Sequence, residues 1–156
     1  DRVLLPLGMT DTAITLSREQ ERRFAVGHAA AGQVQGAWRL GTFAGAGALR
    51  SNMHDMLQYL QAQLTPPPGL EAAILLSQRV RRDAHPGVQI GLGWHFDRPR
   101  KVWFHNGQTG GFHAMIVVDR AAQIGLVVLA NSASEALDGP CFDLVGTLQR
   151  SQLEAP

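Results

Sequence analysis

Apolar positions keep different rhythms in successive parts of the chain. Over residues 4–39 there is none: Pro6 and Gly8 interrupt any long element, and residues 27–36 are small and polar without period. Residues 17–24 are charged and short, which predicts no more than a surface turn of helix. At Ser51 a helical rhythm begins. Met53, Met56, Leu57, Leu60 and Leu64 recur at three- and four-residue steps and predict one apolar face. Ser51 is placed to serve as the N-cap. Pro66-Pro67-Pro68-Gly69 then stops the helix, because proline has no N–H to donate. A second helix is predicted over residues 70–80.

Past Pro86-Gly87 the rhythm becomes that of strands. Residues 90–96 alternate around glycines, and residues 101–105 carry Val102, Trp103 and Phe104. Residues 111–119 and 123–131 are apolar runs joined by Asp119-Arg120-Ala121-Ala122, a connection short enough for a hairpin. Residues 125–130 lack polar alternation, which predicts burial on both faces. After Pro140 a closing helix is predicted over residues 142–153. The fold class that results is α+β, an antiparallel sheet of three to four strands flanked by helices. Residues 1–156 are read as one unit, with 1–86 mostly helix and loop and 87–156 strands plus the last helix.

Composition narrows the function. Apolar residues make up 45% and charged residues 17%, which suits a single globular core. A net charge of +1 with scattered basic residues argues against a nucleic-acid partner. The tightest basic cluster, Arg79, Arg81 and Arg82, reads as a solvated helix end. The single cysteine, Cys141, rules out an internal disulfide. The six histidines are dispersed without a His-Glu-x-x-His pair, so no metal site is expected. No run reaches the roughly 20 apolar residues of a transmembrane segment. Residues 41–47, Gly-Thr-Phe-Ala-Gly-Ala-Gly, fit neither the dinucleotide fingerprint nor the P-loop, and read as a tight backbone passage into the Ser51 helix. The chain opens at Asp1 and runs directly into an apolar segment, from which we expect its start to lie further upstream.

The chemically loaded segment is His105-Asn106-Gly107-Gln108-Thr109-Gly110-Gly111-Phe112. A polar strand end followed by a glycine turn exposes backbone N–H groups at a sheet edge, the material of an oxyanion hole. On local grounds alone an ordinary hairpin turn is the simpler reading.

Four segments together resemble one family. Leu5-Pro6-Leu7-Gly8-Met9-Thr10-Asp11-Thr12 is similar to the Pro-Leu-Gly-Met segment of class C β-lactamases and their esterase and D-aminopeptidase relatives. Gly45-Ala46-Gly47-Ala48-Leu49-Arg50-Ser51, with Asp55 one turn on, resembles that family's glycine stretch and following helix. Gly91-Leu92-Gly93-Trp94 resembles its Gly-Leu-Gly-Trp strand. His105-Asn106-Gly107 with Thr109-Gly110-Gly111-Phe112 resembles its third catalytic motif in the His-x-Gly form. All four stand in the family's order between Leu5 and Asn131.

The resemblance implies an incomplete β-lactamase/transpeptidase-like fold and an acyl-enzyme hydrolase acting on β-lactams, esters or D-amino-acid peptides. It calls for no cofactor, and it implies a periplasmic or secreted setting. His105 is implied to line the cleft and contact substrate with Asn106 and Thr109. Gly107 is implied to admit the substrate, and the Gln108 N–H to be one of two oxyanion donors. The Gln108 side chain is expected to narrow the site. Two family motifs are missing from the sequence: the only lysine, Lys101, follows Arg98 rather than a serine at the required spacing, and the only tyrosine, Tyr59, precedes Gln61 rather than asparagine. The implied nucleophile therefore lies outside these residues, and the isolated chain is expected to be inactive. The missing N-terminal half, or a second copy meeting the edge of strand 123–131, is the expected partner. The alternative is a non-catalytic partner-binding or structural module derived from the same fold.

Overall fold

The computed structural model describes residues 2–154. Even where no period marks the sequence, local hydrogen bonding orders it. Ser17 and Gln20 form a capping box that starts α1, Arg18–Arg23, with acidic residues in its first turn and basic ones in its last, as the helix dipole favours. This is the short surface helix expected. A two-residue strand β1, His28–Ala29, follows, and Gly41–Ala46 forms a 3-10 segment.

The strongest predicted helix is present as α2, Met53–Leu64, but Ser51 is not its cap. Asn52 takes that place, its side-chain oxygen accepting from the Asp55 N–H at 2.9 Å. The Ser51 hydroxyl is drawn instead to Thr12 Oγ1, 2.7 Å away. The apolar face is also narrower than its period suggested. Met56, Leu60 and Leu64 pack toward the sheet, whereas Met53 and Leu57 are exposed. Next comes α3, Glu71–Ser77, which stops short of residue 80. The Ser77 carbonyl there accepts from the Leu92 N–H at 2.7 Å.

Six strands then form one antiparallel meander: β2 Arg82–His85, β3 Val88–Ile90, β4 His95–Asp97, β5 Val102–Thr109, β6 Phe112–Asp119 and β7 Ile124–Ala130, in spatial order β2-β3-β4-β5-β6-β7. The α+β class is as expected, with six strands in place of three to four. Residues 90–96 are not one strand. Gly91 N–H bonds the Trp94 carbonyl at 2.8 Å, and this turn joins β3 to β4. β2 lies where a solvated helix end was expected, with Arg82 paired to Ile90. All its residues are exposed, so no apolar alternation announced it. Beyond β7, the two-residue strand β8, Ser132–Ala133, runs parallel to β1. The chain closes in α4, Asp138–Leu153, which begins before residue 142. Pro140 sits in its first turn, where a missing N–H leaves no helical bond unmade.

Helices cover both faces of the sheet. Leu60 of α2 packs with Ile116, Val118, Val127 and Trp94 on one side. Cys141 and Val145 of α4 pack with Val102, Met115, Val117 and Ile124 on the other. Val102, Val117, Val118 and Val145 are wholly inaccessible, and burying each such side chain contributes roughly 1.5–3 kcal/mol. Gly125 shows how close α2 lies: a Cβ there would stand 2.7 Å from Leu60 Cδ1. β7 is packed on both faces, yet its residues are mostly half-buried because it is the edge strand. One polar knot is buried where α2, α3 and the β6–β7 turn meet. Gln78 donates to Gln63 Oε1 at 3.0 Å, and Arg120 donates to the Gln63 carbonyl and to Gln78 Oε1. Among the described residues no helix is long and apolar enough to cross a membrane.

Candidate active site

The β5–β6 hairpin turns on two residues, Gly110 and Gly111, with Thr109 paired to Phe112. Gly111 has a φ of +72°, a conformation L side chains avoid. A Cβ there would also collide with Gln35 O and Gly27 Cα, both 2.7 Å away. The loop between Gly27 and Gln35 is thus moulded to the hairpin tip. His28 N–H donates to the Gly111 carbonyl at 3.1 Å, and Gly111 N–H donates to Gln35 Oε1 at 3.1 Å.

The register decides which backbone groups of β5 stay free. The pair closing a two-residue turn exchanges hydrogen bonds, and antiparallel pairs alternate from there. Thr109↔Phe112, Gly107↔Ala114 and His105↔Ile116 are therefore the bonded pairs. The N–H and C=O of Gln108 and Asn106 point the other way, toward the β4 side. β4 reaches only as far as His95↔Phe104. Gln108 N–H consequently projects from a free sheet edge.

The side chains of His105 and Thr109 and the bare Cα of Gly107 share the face of Trp103 and Ile116, where α2 lies over β6 and β7 rather than over this end of β5. His105 and Gly107 are exposed and Thr109 is half-buried. A Cβ on Gly107 would meet nothing within 4 Å, so this face is open. A Cβ on Gly47, which ends the 3-10 passage, would stand 3.6 Å from Thr109 Cγ2, which brings two of the resemblance's segments to one place. The Gln108 side chain projects to the opposite face, with Asn106 and His113, and so does not narrow the space above Gly107. Asn106 also turns away, donating to Asp138 Oδ2 at 2.5 Å. His113 Nε2 meets Asp138 Oδ1 at 2.7 Å. The His105 ring stacks on His95 at 5.8 Å between centroids. Although His105 is exposed, the protein atoms around its ring still desolvate the imidazole enough to push it below its usual pKa, and the neighbouring His95 adds to the effect.

A half-open cleft of about 660 Å³ lies beside the hairpin, lined by Phe24, Trp38, Leu40, Ala48 and Arg50 among others. Arg50 directs its guanidinium at the carbonyls of Ile14 and Trp38 and lies over the Phe24 ring. Below it, the Thr10-Asp11-Thr12 stretch is tied to α2. Buried Asp55 accepts from Asp11 N–H at 2.9 Å and from the Thr12 hydroxyl at 2.8 Å. These contacts explain why the first two segments of the resemblance occur together: they are two sides of one hydrogen-bonded joint. A family model described as Beta-lactamase matches residues 1–145. The chain belongs to the beta-lactamase family. The match spans all four segments, and the fold is that of a β-lactamase-like hydrolase. No curated protein matches the chain.

Asp138, His95 and Trp38 stand beside the candidate residues, although the sequence reading does not single them out. Asp138 precedes the predicted start of its helix, and Trp38 lies in a stretch without period. Neither carries a local signal of its neighbours. His95 counts in the sequence only as one of six dispersed histidines, yet the β4–β5 pairing brings it to His105.

Proposed function

We propose that this beta-lactamase-family chain supplies one wall of an acyl-transfer site. In this reading His105 and Gly107 face the substrate and the Gln108 N–H is an oxyanion donor. Thr109 extends the wall toward Gly47, and Asn106 serves it from behind by holding the strand. The serine nucleophile, with its lysine and tyrosine, comes from polypeptide outside these 156 residues. The supporting observation is the free edge of β5 at Gln108, with open space over Gly107. The serine oxygen would add to the carbonyl, and the C–O or C–N bond would break with the serine proton passed to the departing alcohol or amine. Water would then cleave the acyl-serine ester and restore the hydroxyl. An N–H fixed at the developing oxyanion is worth roughly 3–4 kcal/mol in hydrolases.

His105 is held below the usual imidazole range, so at neutral pH it offers a hydrogen bond rather than a charge. A substrate carboxylate gains less from it than from an ammonium, which favours esters and peptides without a free carboxylate beside the scissile bond over β-lactams. The chain alone is expected to turn over neither nitrocefin nor p-nitrophenyl esters and to resist fluorophosphonate labelling. Turnover with covalent labelling of one of its serines would overturn the reading.

The outer edge of β7 completes the proposal. The sheet ends there, leaving a row of N–H and C=O groups able to pair with another strand. We read this edge as the place where the complementing polypeptide, or a second copy, joins. Size-exclusion chromatography with light scattering is expected to show the chain as an oligomer or aggregate. A stable monomer at high concentration, unfolding cooperatively, would remove this part.

A further inference from the structure

Asp138 opens α4, and its carboxylate accepts hydrogen bonds from two different strands. Asn106 Nδ2 donates to Oδ2 at 2.5 Å and His113 Nε2 donates to Oδ1 at 2.7 Å. Asn106 stands two positions before Gln108 on β5, and His113 is the cross-strand partner of Gln108 on β6. The two bonds therefore bracket residue 108 from behind. The His113 side chain is 0% exposed, and its Nδ1 has no partner among the described residues. Asp138 is thus its one polar contact, and a buried donor stripped of its acceptor is costly. Each carboxylate oxygen takes one donor, and alanine at 138 would remove both acceptors at once. A carboxamide at 138 would still accept from His113 and donate to the oxygen of a flipped Asn106, so alanine is the disrupting change.

We infer that Asp138 is a positioning residue that clamps β5 to β6 and fixes the direction of the Gln108 N–H. Its consequence for catalysis rests on the reading of Gln108 as an oxyanion donor; the clamp itself does not. The test is amide hydrogen exchange by NMR on the full 156-residue chain, comparing wild type, Asp138→Ala and the exchanged pair Asn106→Asp with Asp138→Asn. The exchanged pair restores both bonds. Its carboxylate, now on β5, accepts from the carboxamide N–H now on α4, and the carboxamide oxygen accepts from His113.

Exchange at Gly107, Thr109 and Ala114 should accelerate roughly ten- to a hundredfold in D138A, as expected for losing a hydrogen bond to a charged group. It should stay within about threefold of wild type in the exchanged pair, whose two changes compensate each other. The ¹⁵N signals of the His113 ring should follow the same pattern, with the proton on Nε2 in wild type and exchanged pair. Unchanged exchange in D138A, or accelerated exchange in the exchanged pair, would overturn the clamp. If D138A does not fold, the exchanged pair decides alone: wild-type protection supports the clamp and lost protection refutes it. Rescue of exchange with no turnover in any complex would leave the clamp standing and fault only the oxyanion reading.

Discussion

The two ends of β5 live under different conditions. At its start Val102 is inaccessible, Trp103 packs on Phe96, and strands flank it on both sides. At its far end residues 105–109 pair with β6 alone, and one face is open over Gly107. One strand thus joins a packed anchor to a displayed edge. Free backbone donors and open space are liabilities in a core and requirements at a binding edge. The anchored half lets the chain carry them without loosening the sheet.

Substitutions at the two ends should separate these conditions. Val117→Ala or Val145→Ala, each removing atoms from an inaccessible site, should cost about 2 kcal/mol in urea unfolding. Gly107→Ala should cost less than about 0.5 kcal/mol, because the new methyl meets nothing and surface changes are usually that small. A Gly107→Ala cost matching the valine changes would mean that the far end is packed after all.

Acid provides the finer probe. Folding lowers the His105 pKa from 6.5, so around that pH the unfolded chain binds more protons than the folded one. The His105 contribution is fully present above pH 6.5 and is lost as pH falls toward the folded value. His105→Asn should therefore flatten part of the decline in Tm below pH 6.5 while leaving Tm well above that pH little changed. Parallel Tm curves for the two proteins would show that the ring is freely solvated, contrary to its stacking on His95.

Much of this arrangement was legible in the residues. The three- and four-residue spacing from Met53 gave α2, because burial of one helix face leaves a periodic trace, and the two unbroken apolar runs around Asp119-Arg120-Ala121-Ala122 gave the β6–β7 hairpin, because helices cover both faces of those strands. β2 left none, since all its side chains meet solvent. The turn through Gly91 and Trp94 was hidden because a buried tryptophan in a turn looks like one in a strand. The candidate segment at 105–109 was found through family resemblance. Its free edge was not foreseeable, because that depends on where β4 stops. Asp138 lies 25 positions from His113 and 32 from Asn106, and no spacing rule connects residues joined only by packing.

The buried knot of Gln63, Gln78 and Arg120 bears on how the sheet reaches its register. Most apolar β6 and β7 side chains are of similar size, and of these strands only Gly125, close beneath Leu60, resists sliding by shape. Arg120 tolerates none: its guanidinium meets the Gln63 carbonyl and Gln78 Oε1 at the turn itself. A shift of one residue would carry it away and strand buried Gln63 and Gln78 without their donor, at roughly 1–3 kcal/mol for each orphaned group. The knot therefore proofreads the hairpin from its turn, as the fit of Gly125 beneath Leu60 does from within the strand.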